Sequence, residues 1–185
     1  MTQLNKEKNI ERNSSLGLDF LKPGRIVFPD MRGHLIFWLI FVFGLFLDLW
    51  SKRFIFEYLS RTGPISVIAG VFNLVIAENT GAAFGIAAGK RLLLVSTSVI
   101  ALFGVVGIFL FGGIRQRLVQ VALGLFAAGV AGNLYDRIFN DGRVRDFIDI
   151  IYWPGVHWPA FNIADSMLCI SVGLLIISTL RTGPK

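Results

Sequence analysis

Residues 35–56 read LIFWLIFVFGLFLDLWSKRFIF, and this stretch decides the class of the chain. It runs uncharged from Leu35 to Leu47 before Asp48, Lys52 and Arg53 appear. A helix needs about 20 mostly apolar residues to cross a bilayer. Three further stretches qualify: residues 92–111, without a charge; 118–135, rich in Gly and Ala; and 161–180, in which Asp165 is the only charge. Each is longer than the roughly 10–14 residues expected of a buried helix in a soluble protein. The expected fold is therefore an α-helical integral membrane protein with four transmembrane helices, a small extracytoplasmic β-sheet and outer loops.

Composition points the same way. Of 185 residues, 54% are hydrophobic and 16% charged, and the mean hydropathy is +0.66. Soluble domains carry about 25% charged residues. Such an apolar chain cannot stay disordered, and a soluble surface would lack polar cover. The single Cys excludes a disulfide framework and a multi-Cys zinc site, and His34 and His157 are too few and too far apart for a metal cluster. No metal and no cofactor are expected. The net charge of +6 fits Lys and Arg at helix ends, so membrane lipids rather than nucleic acid are the expected partners.

The chain divides into a polar extension, residues 1–33, and a four-helix domain, residues 34–185. The extension carries Lys6, Lys8, Arg12, Lys22, Arg25 and Arg32. It has too much charge for a cleavable signal, and no small-residue cleavage site precedes the end of the first span. The short loop after the second span, GGIRQR, holds Arg115 and Arg117; the C-terminus adds Arg181 and Lys185. Positive-inside reasoning places these three segments, and hence both termini, in the cytoplasm. The basic residues divide ten against eight, so the extension and the short loop decide the orientation.

Segments 57–91 and 136–160 then lie outside. Within the first, residues 64–85 mix β-branched residues with turn chemistry and predict extended strands. Residues 140–160 carry Asp-Gly, Trp-Pro-Gly and Trp-Pro signals and read as a loop. Trp38, Trp50, Tyr152, Trp153 and Trp158 sit where interfacial anchors belong. Gly124, Ala128 and Gly132, spaced by four, predict close helix packing.

Membrane-depth polar residues gather at one end. Asp48 and Lys52, four apart, share a face in the outer third of the first span and read as a structural pair. The third span ends with Asn133, Asp136 and Arg137, of which the last two can simply mark a helix end. Asn162 and Asp165 open the fourth span. Asp165 is harder to dismiss as structure, because no basic residue lies within one helical turn to neutralise it and an ionisable group in the bilayer costs about 2.5–3.5 kcal/mol. The outer segments add Asn79, Asp141, Asp146 and Asp149. Cys169, one turn deeper than Asp165, reads as core packing, and His157 as interfacial.

With neither a metal cluster nor an activated nucleophile evident, a pair of carboxylates sharing one proton remains. The ionised member takes a proton from water, and the protonated member donates to a peptide carbonyl. Asp165 is one candidate; its partner could be Asp136, Asp141, Asp146 or Asp149. A transporter using Asp165 as a proton carrier would call for polar residues at mid-membrane and on both sides, against the clustering seen. A purely structural scaffold would leave Asp165 without a role.

These residues resemble a known family. DLWSK (48–52), ENTGAAFG (78–85), GNLYDR (132–137), GRVRDFID (142–149) and FNIADS (161–166) are similar, in the same order, to the motifs of lipoprotein signal peptidase, or signal peptidase II. The resemblance covers residues 35–180. It implies an aspartic endopeptidase with Asp146 and Asp165 as the catalytic dyad. Asn79, Gly81, Asn133, Arg137 and Asn162 would orient substrate and dyad, with Asp48 and Lys52 as structural support. It implies a prolipoprotein substrate whose cysteine carries diacylglycerol, cleaved just before that cysteine. It also implies a location in the bacterial inner membrane with the site facing outward; a monomer is expected. The extension has no counterpart among the motifs and is assigned no function.

Overall fold

A computed structural model describes residues 28–82 and 86–181. Most of the basic N-terminal extension, the end of ENTGAAFG at residues 83–85, and Lys185 lie outside the described residues. Four long helices dominate: α1 (Met31–Thr62), α2 (Arg91–Phe111), α3 (Arg117–Phe139) and α4 (Ile163–Arg181). All four are long and apolar enough to cross a membrane. At about 1.5 Å per residue, even the shortest approaches the thickness of a hydrocarbon core.

Helix α1 is longer at both ends than its apolar stretch. Asp30 caps its start, accepting from the Gly33 N–H at 2.9 Å. At its end the Gly63 N–H donates to the Leu59 carbonyl, with φ of 76° at Gly63. Arg117 grips Asp30 with both terminal nitrogens, at 2.7 and 2.5 Å, and the Ser178 hydroxyl donates to Gln116 Oε1 at 2.6 Å. The starts of α1 and α3 and the end of α4 thus meet at one end of the bundle.

Helix α3 is the central element. Thirteen of its residues are buried, against three on α2, so the Gly- and Ala-rich span is the one that all the others cover. Gly124, Ala128 and Gly132 face α1, whereas Gly129 faces α4. A Cβ on Gly124 would come within 3.0 Å of the Phe37 carbonyl, and one on Gly44 within 3.0 Å of the Ala128 Cβ. A Cβ on Gly132 would collide with the Asp48 carboxylate. The predicted small-residue stripe is therefore the α1–α3 contact. Large apolar side chains such as Leu39, Phe43, Phe103, Ile170 and Leu180 remain exposed on the outer helices, as a lipid-facing surface requires. Cys169 is among the exposed residues, contrary to the core position expected. Helix α4 buries Ala164, Met167, Ser171 and Ser178, a stripe that runs beside residue 169.

At the other end of the bundle lies an antiparallel sheet in the order β1 (Ile65–Ile68), β2 (Phe72–Asn79), β3 (Val144–Trp153), β4 (Val156–His157). The strands expected within residues 64–85 are β1 and β2. Residues 140–160 are not the loop their turn signals implied. VRDFIDIIYW, rich in β-branched and aromatic residues, forms a ten-residue strand, and the Pro154-Gly155 turn, with φ of 76° at Gly155, folds β4 back onto it. The turn residues ended a strand rather than marking a loop. A bridge pairs Ile148 with Phe161, fixing the chain just before α4 to the middle of β3.

The close approach at Gly132 is testable. Gly132→Ala should lower the unfolding midpoint in detergent, by about 1–3 kcal/mol or more, because the Asp48 carboxylate cannot yield. Gly104→Ala on α2, where nothing lies within 4 Å of the added carbon, should leave the midpoint unchanged or raised. Equal responses would show that the α1–α3 contact is not tight.

Candidate active site

The start of α4 is built by a reciprocal cap. Asn162 precedes the helix; its Oδ1 accepts from the Asp165 N–H at 2.9 Å, while Asp165 Oδ2 accepts from the Asn162 N–H at 3.3 Å. This is a capping box with Asp in the third position, which ties one oxygen of the Asp165 side chain to the start of its own helix. A second orphan donor of the helix, the Ala164 N–H, is satisfied from another helix: Asp48 Oδ1 on α1 accepts it at 2.8 Å.

Strand β3 supplies the other carboxyl. Main-chain bonds between Phe161 and both Phe147 and Ile148 hold residue 162 beside β3. There Asn162 Nδ2 donates to Asp146 Oδ1 at 2.6 Å and also approaches Asn133 Oδ1 at 3.1 Å and the Arg145 carbonyl at 3.3 Å. Asn133, on α3, donates through Nδ2 to Asp165 Oδ1 at 2.7 Å. Two asparagines therefore tie the carboxyls of Asp146 and Asp165 into one network. Asp146 is buried and Asp165 half-buried. Burial and then the nearby charge of Asp165 push the Asp146 carboxyl up to about 7, against the opposing effects of Asn162, Lys52 and Asn79.

Beneath this pair sits Lys52, fully buried. Its ammonium meets Asp48 Oδ2 at 2.8 Å, Asn133 Oδ1 at 3.0 Å and Asp136 Oδ2 at 3.3 Å. The ammonium thus makes one hydrogen bond, to Asn133, and two ion-pair contacts, to Asp48 and Asp136, on α1 and α3. Asp48 and Lys52 form the expected pair. Asp136 is not a mere helix-end mark: it is fully buried between Lys52 and Arg145. Arg137 donates to the Gly81 carbonyl at 2.9 Å, and the Gly81 N–H donates to Asn79 Oδ1 at 2.8 Å. The buried Arg137 Nε has no hydrogen-bond partner among the described residues.

The remaining acids stand apart. Asp149 accepts from Asn73 Nδ2 at 2.9 Å and pairs with His157 Nδ1 at 2.7 Å across β2, β3 and β4. Its burial would raise the carboxyl, but those two bonds outweigh it and hold it below the ordinary range. Asp141 is exposed in the turn before β3, with φ of 48°. Among the described residues no group of three or more His, Cys, Asp or Glu side chains is placed to hold a metal ion. Sequence reading missed the roles of Asp136 and Arg145, whose pairing crosses a turn. It also missed the capping box, although Asn-x-x-Asp before an apolar run was there to be read.

Residues 40–181 match the family model described as signal peptidase (SPase) II. The chain belongs to the signal peptidase II family. The lipoprotein signal peptidase of Clostridium novyi (strain NT) is 38% identical over 145 residues, spanning 78% of this chain and 97% of that one. That of Sulfurihydrogenibium sp. (strain YO3AOP1) is 42% identical over 136 residues, spanning 70% and 82%. A bacterial membrane enzyme solved by the in meso method at 2.3 Å resolution has a similar fold, with a TM-score of 0.68 and 36% identity over 77% of this chain and 86% of that one. Of the motifs resembling signal peptidase II, DLWSK, GNLYDR, GRVRDFID and FNIADS lie wholly among the described residues, and all four meet at the sheet end of the bundle.

The raised Asp146 carboxyl sets a pH dependence of stability. Below its ordinary value of 3.8 it is neutral whether the chain is folded or not. From there to about 7 the folded protein keeps a proton that the unfolded chain has released, so this group's contribution falls as pH rises, and above about 7 the full cost is present. Asp146→Asn should therefore raise the unfolding midpoint at pH 8, by an energy on the order of a few kcal/mol, and much less near pH 4. An equal effect at both pH values would show that the buried charge is not the cause.

Proposed function

We propose that the chain is an aspartic endopeptidase of the bacterial inner membrane. It removes the signal peptide from prolipoproteins whose cysteine carries diacylglycerol, cleaving just before that cysteine. The observation that carries this reading is the joining of two carboxyls, from β3 and α4, through Asn162 and Asn133. The other acids of the region are committed elsewhere: Asp136 to Lys52 and Arg145, and Asp149 to Asn73 and His157.

Asp146 retains a proton near neutral pH and donates it in a hydrogen bond to the scissile carbonyl. Asp165, whose two oxygens accept from Asn133 and the Asn162 N–H, takes a proton from water. The hydroxide equivalent adds to the carbonyl carbon, and the proton from Asp146 completes a gem-diol. Collapse of that species breaks the C–N bond as the amine nitrogen receives a proton from Asp165 and Asp146 regains its own. Water supplies both the OH and the H gained by the products. Asn79, Gly81 and Arg137 orient the peptide; the Nε of Arg137, without a partner among the described residues, is a donor for that task.

The membrane supports the substrate assignment. A diacylglyceryl anchor holds the scissile bond near the bilayer surface, and the exposed apolar faces of the outer helices can receive acyl chains. The basic residues of the extension and of the Arg115–Arg117 loop support a cytoplasmic side at the opposite end of the bundle and a dyad that faces outward. The enzyme acts as a monomer.

Purified protein in detergent should shorten a lipidated prolipoprotein, seen as a gel shift. Asp146→Asn and Asp165→Asn should each cut the rate by about 10²–10⁴-fold or more while the protein still folds. Full activity in either variant removes the dyad. Equal cleavage of an unlipidated substrate removes recognition of the lipid.

A further inference from the structure

Arg145 immediately precedes Asp146 on β3, and its directly opposed residue on β2 is Glu78. An arginine facing a glutamate across two strands would ordinarily pair with it. Here Glu78 is taken by Arg143, whose guanidinium reaches Glu78 Oε2 at 2.6 Å. Arg145 turns instead to α3. Its Nε and a terminal nitrogen donate to Asp136 Oδ1 at 3.1 and 2.6 Å, and its main-chain N–H donates to Asp136 Oδ2 at 3.0 Å. Its carbonyl accepts from Asn162 Nδ2 at 3.3 Å, the same amide that holds Asp146. One residue thus fastens the start of β3 to α3 on one side and to the cap of α4 on the other. The Asp136 carboxylate it grips is fully buried and shared with Lys52, which makes it a fixed anchor.

We propose that Arg145 is a positioning residue for the dyad: by clamping Asp136 with its guanidinium and main-chain N–H while its carbonyl meets Asn162, it sets where the Asp146 carboxyl stands relative to Asp165. This rests on the dyad reading above. Arg145 does not touch the reacting atoms. Its loss should let the first residues of β3 shift, and a displacement of about 1 Å at a catalytic group can cost about a hundredfold in rate.

The test uses the full chain in detergent with a lipidated prolipoprotein, measuring kcat, KM and the unfolding midpoint. Arg145→Ala should lower kcat about ten- to a hundredfold with KM within about twofold, since ground-state binding of the substrate is untouched. Arg145→Lys should recover part of kcat, because an ammonium can pair with Asp136 but cannot reproduce the fork. Arg143→Ala, which removes only the Glu78 pair, should leave kcat within about twofold. A wild-type kcat in Arg145→Ala, a loss carried by KM, an equal loss in Arg143→Ala, or failure of both Arg145 variants to fold overturns the proposal. Activity in Asp146→Asn would instead sink the dyad reading, whereas an inactive Asp146→Asn beside a fully active Arg145→Ala sinks the positioning role alone.

Discussion

A lysine ammonium with no exposed surface, Lys52, is the constraint around which the sheet end of this bundle is arranged. Taking such a charge out of water costs several kcal/mol unless its donors are met. Here Asn133 accepts a hydrogen bond from it and the carboxylates of Asp48 and Asp136, from α1 and α3, balance its charge. Those acceptors are themselves engaged: Asp48 accepts the Ala164 N–H at the start of α4, Asn133 bonds Asp165 and Asn162, and Asp136 bonds Arg145. The chain Asp48–Lys52–Asp136–Arg145 alternates in sign, so the buried charges compensate. Removing any member would leave a charge uncompensated at low dielectric, which explains why three helices and a strand keep one relative placement.

The joining of Asp146 to Asp165 is a consequence of that placement together with two local devices. The capping box of α4 and the Asn133 amide of α3 together orient Asp165. The Phe161–Ile148 bridge then brings the cap residue to β3, where Asn162 reaches Asp146. Position along the bundle follows from the small residues of α3. Gly132 lets the Asp48 carboxylate lie directly against the helix, one residue before the asparagine that meets Lys52. Packing and chemistry are thus adjacent in sequence: GNLYDR contains the contact glycine, the bridging asparagine, the buried Asp136 and the Arg137 that holds Gly81.

The sheet is where reading and structure part most clearly. The turn signals that flank residues 144–153 predict a loop, where the chain forms a ten-residue strand. Strand formation there depends on an edge offered by β2, more than sixty residues earlier, and no local pattern reports that edge. The same limit applies to Cys169. Its position four residues from Asp165 implied a shared buried face, but the stripe that α4 buries runs through Ala164, Met167 and Ser171 and leaves residue 169 exposed.

By itself the sequence determined the four apolar helices, the small-residue face of the third, the Asp48–Lys52 pair and the gathering of polar residues at one end. These follow from composition and helical periodicity, which act over a few residues and need no partner to be recognised. The ordered motifs further pointed to the family. Only the tertiary structure decided which acids stand together and which are engaged elsewhere. Asp136, Asp146 and Asp149 are alike in sequence, yet one is buried between two cations, one is tied through asparagines to Asp165, and one bridges three strands. A carboxyl's role is set by what surrounds it in space, and those neighbours arrive from segments whose meeting is fixed by packing, not by proximity along the chain.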